Sequence, residues 1–158
     1  MSMINLEKCQ AITNGNIFSL QHDAEMNNGN IAFVGVRVED DVYAVEVPLT
    51  ATLSDKRMVL IAADETQADP AKTIGDFTIA ADTPTPAYVL TEGDQVLFDN
   101  TLLTGTPVVD EFLVVQNNSL LLKANATAVG KVVFKVVDVA QVIGKSDSPA
   151  TRAIVEIV

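Results

Sequence analysis

The side chains able to do chemistry in this chain are few, and they gather near its start. His22 is the only histidine and Cys9 the only cysteine. A thiol becomes a strong nucleophile when a neighbouring base lowers its pKa, so a Cys–His pair is the first arrangement to weigh. Such a pair must be held to within about 0.5 Å by rigid elements. Residues 1–30 promise none, because they carry six of the ten asparagines and show no sustained hydrophobic period. His22 therefore reads as an exposed histidine and Cys9 as an incidental thiol. His22, Asp23 and Glu25 form one conceivable metal cluster, and Glu39, Asp40 and Asp41 another. Neither alternates its acids or ends on glutamate as a calcium loop does. Zinc takes three or four His or Cys ligands where only two such residues exist. Both groups read as solvated acids on turns, and no cofactor or metal is expected.

Other catalytic patterns are equally thin. Twenty-one acids make so many carboxylate pairs that none singles out a glycosidase cleft. With no tryptophan and only Tyr43 and Tyr88 as tyrosines, aromatic platforms for sugars or bases are scarce. The eight glycines are scattered, and none stands in phosphate-loop spacing before Lys-Ser/Thr. The expected class is therefore not an enzyme.

The elements that would position any site are strands. Asn14-Gly15 and Asn28-Gly29 are turn dipeptides, with Ile17, Phe18 and Leu20 as a small apolar patch between them. Ile31–Val38 and Val42–Val47 read as a hairpin turned by Glu39-Asp40-Asp41 and ended by Pro48. Met58–Ala63 is a short buried run, followed by a polar stretch in which Asp69-Pro70-Ala71-Lys72 fits a helical turn. Ala80–Pro86 reads as a loop. Ala87–Leu90 and Gln95–Phe98 are strands joined by Thr91-Glu92-Gly93-Asp94. There Gly93 turns the backbone, Asp94 bonds back, and Val96 and Phe98 face inward. Phe112–Gln116 and Leu120–Ala124 make another hairpin through Asn117-Asn118. Lys131–Val139 is the longest strand, apolar on both faces; Ile143–Pro149 is a loop; Ala153–Val158 closes the chain as a strand. No window has the length and 3.6-residue period of a substantial helix. The expected fold is all-β, an antiparallel sandwich or small barrel, with residues 1–30 as an irregular polar arm and 31–158 as a single β domain.

Composition narrows the partners. A net charge of −11 with singly scattered bases, Lys56-Arg57 apart, disfavours nucleic acid and anionic membrane surfaces. No apolar stretch approaches the ~20 residues of a membrane-spanning helix, and no signal peptide is visible. A lone cysteine fits a reducing cytoplasm. The mean hydropathy of +0.27 is high beside that charge, which suggests apolar surface covered by other subunits.

The segment ITNGNIFSLQHDAEMNNGNIAFVG (12–35), followed by a charged hairpin and VYAVEVP (42–48), resembles the opening of small head-decoration, or cement, proteins of tailed bacteriophages. The matching features are Asn14-Gly15-Asn16-Ile17, then Asp23 through Asn28-Gly29, then a first strand from Ile31 to Gly35. The Glu92-Gly93-Asp94 strand entry, Phe112-Leu113-Val114-Val115 leading into Leu120-Leu121-Leu122-Lys123, and a last strand ending on Val158 also look similar. The resemblance implies a non-enzymatic virion component, assembled in the host cytoplasm, that docks on the major capsid protein outside a phage head. It implies a homo-oligomer, with a trimer expected. On this reading Ile17, Phe18 and Leu20 are the partner-binding anchors of an arm that orders on contact. The competing expectations are a tail or head-fibre base protein and a carbohydrate or cell-surface binding module.

Overall fold

The computed structural model describes residues 4–8, 17–49, 57–63, 77–143 and 147–158. The expected all-β class is borne out, and both expected architectures are present: a closed barrel lies against an open sheet. The barrel comprises β2 (Ile17–Gln21), β3 (Ile31–Glu39), β4 (Val42–Glu46), β5 (Met58–Ile61) and β6 (Thr85–Val89), in the order β2-β4-β3-β5-β6. Its ladders are antiparallel except β2–β4, which is parallel. The sheet has seven strands: β1 (Ile4–Lys8), β7 (Gln95–Asp99), β8 (Leu103–Thr104), β9 (Phe112–Val115), β10 (Leu122–Asn125), β11 (Val132–Ile143) and β12 (Ser148–Ile157). Their order is β1-β7-β12-β11-β9-β10-β8. Helix among the described residues amounts to a 3-10 turn at Asn100–Leu102, capped by Asp99.

Two cores form, and β3 and β5 are the wall between them. Side chains alternate across a strand, so a strand covered on both faces must be apolar throughout. Ile31 and Phe33 on β3, with Met58 and Leu60 on β5, pack with Val96, Phe98, Phe134 and Val155 of the sheet. The intervening Ala32, Val59 and Ile61 point into the barrel against Leu20, Met26, Ile79 and Ala87. This explains the unbroken apolar run Met58–Ile61. Phe98 and Phe134 meet edge to face, with centroids 5.3 Å apart, at the centre of the sheet-side core.

Residues 17–30 differ from the arm expected of them. β2 pairs with both β4 and β6, Leu20 is 0% exposed, and Met26 bridges to Ile79. The asparagines that suggested a solvated arm do backbone work instead. The Asn28 amide donates to the Ala63 carbonyl at 3.0 Å and accepts from the Ala63 N–H at 2.8 Å, as a paired strand residue would. The Asn30 side chain accepts from Asn27 N–H at 2.8 Å, closing the turn. Gly29, at φ +90°, is packed so tightly that a Cβ would lie 2.3 Å from Leu102 Cδ1. Asparagine satisfies buried main chain with its own amide, which composition alone does not distinguish from solvation.

Other boundaries shift for similar reasons. Pro86 is a strand residue opposite Ser19, its carbonyl accepting from Ala62 N–H. The 143–149 loop is short, because β11 and β12 continue pairing out to Ile143 and Ser148. The first half of β11 is buried as expected, but Val137, Val139 and Val142 are exposed. The 91–94 turn forms as read, with Asp94 accepting from the Thr91 N–H and hydroxyl, and with Val96 and Phe98 inward. Asn14-Gly15 and Asp69–Lys72 lie outside the described residues.

Candidate docking site

Strand β2 carries the residues singled out as anchors, and the pleat sets Ile17 on one face and Phe18 and Leu20 on the other. Ile17 is 45% exposed, Phe18 half-buried, and Leu20 wholly inside the barrel. Leu20 thus belongs to the barrel core, Phe18 packs against that core while also reaching the surface, and Ile17 is the most exposed of the three. They open onto a shallow groove of about 620 Å³ lined by Ile17, Phe18, Ser19, Asp41, Tyr43, Pro84 and Pro86. The parallel β2–β4 register, with Ser19 opposite Val42 and Leu20 opposite Tyr43, brings the two aromatic rings together. Phe18 and Tyr43 meet edge to face at 79° with centroids 5.5 Å apart. The Arg57 guanidinium lies over the Phe18 ring, 5.7 Å from its centroid. An aromatic ring held on its edge and its face is pre-ordered, so contact with it costs little side-chain entropy.

Further along the same two strands lies a second groove of about 390 Å³, lined by Gln21, His22, Asp23, Val38, Ala44, Val45 and Asp82. His22 is mostly covered, its Nδ1 3.2 Å from the carboxylate of Asp23, which is 89% exposed. A base oriented by an acid is two-thirds of a nucleophilic triad, but among the described residues no hydroxyl or thiol lines this groove. Cys9 lies outside the described residues. Among the described residues, no three or more His, Cys, Asp or Glu side chains gather as a metal site. Glu39, Asp40 and Asp41 are exposed on the β3–β4 turn, where Asp40 takes φ +28° and its carbonyl accepts from Arg37 Nε.

Comparison with known proteins leaves the geometry to speak for itself. No family model, curated protein or solved structure matches this chain.

What this surface can do is bind. It is open, apolar at its floor and carried on paired strands. The sequence reading named Ile17 and Phe18, which line the first groove, and did not name Tyr43, Pro84 and Pro86 as part of one surface with them. The available signal was rarity, since Tyr43 is one of two tyrosines and the prolines stand two apart. Their convergence depends on the parallel β2–β4 ladder, which joins segments some twenty residues apart and leaves no local trace.

Proposed function

We propose that this chain is a non-enzymatic decoration protein that binds the outer surface of a phage capsid shell and stabilises it. The observation that carries this reading is the pair Ile17–Phe18 at the lip of an open aromatic groove on a closed barrel. The same residues lie inside the segment that resembles decoration proteins. A rigid docking face repeated over a lattice turns weak single contacts into strong attachment through multivalency. The net charge of −11 keeps such a surface soluble and repels stray nucleic acid. A homo-oligomer, with a trimer first in order, would cover exposed apolar residues such as Val36, Val142 and Ile157.

The test is mixing the purified protein with undecorated capsids, followed by sedimentation and imaging of the added density. Removing residues 1–20 would delete most of β2 and open the barrel, so a point substitution is the informative control. Wild type should co-sediment, and Phe18→Ser should bind at least about tenfold more weakly, which is ~1.4 kcal/mol. Equal binding by Phe18→Ser would move docking elsewhere on the molecule. Absence of wild-type binding to any candidate shell would end the capsid reading.

A further inference from the structure

The two grooves follow one another along β2 and β4, and among the described residues around them acids outnumber bases. Asp41 lines the first, and Asp23 and Asp82 line the second; among the described residues no lysine or arginine lines either. Glu25, Glu39 and Asp40 are exposed on the adjoining turns. Among the described residues the bases beside them are Arg57, which lies over the Phe18 ring, and Arg37, which donates to the Asp40 carbonyl. Low-dielectric apolar walls beneath a carboxylate rim focus a negative potential into the cleft.

The floor indicates the shape of the occupant. Ile17, Phe18, Tyr43, Pro84 and Pro86 give the first groove its apolar lining, and Val38, Ala44 and Val45 give the second its own. Both grooves are shallow and open, which suits an extended chain that lays alternate side chains into them. The span of β2 and its continuation, residues 17–23, corresponds to about seven residues of extended peptide at ~3.3 Å each. The β2–β4 ladder covers Ser19 to Gln21, so the Ile17–Phe18 end of β2 runs past the start of β4.

From this we infer that the two grooves form one cleft for an extended peptide segment of a partner protein, bearing lysine or arginine beside apolar or proline residues. The inference rests on the reading of this chain as a docking protein, though not on the partner being a capsid. Apolar residues would meet Phe18 and Tyr43 while the cations meet Asp41, Asp23 and Asp82. Proline would suit the first groove, because an extended Pro-containing segment loses little entropy on docking against aromatic rings.

Fluorescence anisotropy tests it with a labelled synthetic peptide, Ala-Lys-Pro-Leu-Lys-Pro-Val-Lys-Ala, and a counterpart in which every lysine is glutamate. The lysine peptide should bind the intact chain, weaken as salt rises, and shift the amide resonances of residues 17–23 and 41–45. The glutamate peptide should not bind. The double substitution Asp23→Lys/Asp41→Lys changes exposed positions only, so it should stay folded and lose about tenfold in affinity. Tyr43→Ala should lose a similar factor. Equal binding of the glutamate peptide, shifts confined to other strands, or full affinity in the double variant would each overturn the inference. If capsids recruit the protein while the lysine peptide fails, the docking function stands and this cleft assignment falls. If the peptide binds while capsids do not, the reverse holds.

Discussion

The closed barrel and the open sheet solve the problem of strand edges in different ways, and this sets what each presents to the outside. Ring closure pairs the barrel strands all round, so the barrel offers side-chain surface, and its β2–β4 side, away from the sheet, carries the grooves. The sheet ends on edges and blunts them locally. β8 has two residues, and β9 covers β11 only around Phe134 and Lys135. Beyond Val136 the β11–β12 ladder is broken by register shifts around Asp138, whose carboxylate accepts from Ala140 N–H and from Gln141 Nε2. Such a bulge consumes a donor that another strand could have used. On the docking function proposed above, the barrel is the recognition face and the sheet the platform that holds it.

The sharpest way to break this comparison is through the shared wall. Phe33→Ala should cost about 3–5 kcal/mol, because a wholly buried ring leaves a cavity in the sheet-side core. Leu20→Ala removes a side chain only from the barrel core and should cost about 2–5 kcal/mol. Since β3 and β5 serve both cores, each variant should still unfold in one transition seen alike by tyrosine fluorescence and by circular dichroism. Two separate transitions in Leu20→Ala would mean that barrel and sheet are independent units.

A smaller effect probes how the turn after β2 is tied to the end of β5. Asn28→Ala removes two hydrogen bonds to Ala63 and strands its buried partners, so denaturant titration should show a loss of about 1–3 kcal/mol. A loss below a few tenths would show that water replaces the amide freely.

The smallest effect concerns the sheet edge. The Ala140 N–H, then the Gln141 amide, hold the Asp138 carboxyl below its ordinary pKa of 3.8, with Arg152 adding to the shift. A group whose folded pKa is depressed contributes stability above its unfolded pKa and loses it as pH falls through the folded value. The bulge should therefore be intact above pH 3.8 and loosen only as the solution becomes more acidic than that. The amide resonance of Ala140 should titrate with a midpoint below 3.8 in wild type and not titrate in Asp138→Asn. A wild-type midpoint at or above 3.8 would remove Asp138 as the guard of this edge.

Much of the fold was legible because its signals are local. The Glu39-Asp40-Asp41 hairpin, the 91–94 turn and the Phe112–Asn125 hairpin all follow from turn residues between alternating strands. Residues 17–30 were illegible for a physical reason. Their asparagines read as solvated, yet Asn28 and Asn30 are 2% and 4% exposed, because an amide can replace a strand partner. The site was half legible. Ile17 and Phe18 stand out as apolar residues in polar surroundings, but the barrel core that receives Phe18 and Leu20 and the ladder that brings Tyr43 to Phe18 are long-range facts.

The buried Asn28-Gly29 turn also bears on how the protein ages. In a flexible chain an Asn-Gly pair deamidates readily: the glycine nitrogen attacks the side-chain carbonyl, ammonia leaves, and the succinimide opens to aspartate or isoaspartate. Here Gly29 N–H is committed to the Ile61 carbonyl at 2.8 Å, and both ends of the Asn28 amide are held by Ala63. Nucleophile and electrophile are fixed in place by the same β5 terminus, so the reaction waits for that strand end to open. The asparagine then records, as a gain of about one mass unit, how often each molecule has let its barrel breathe.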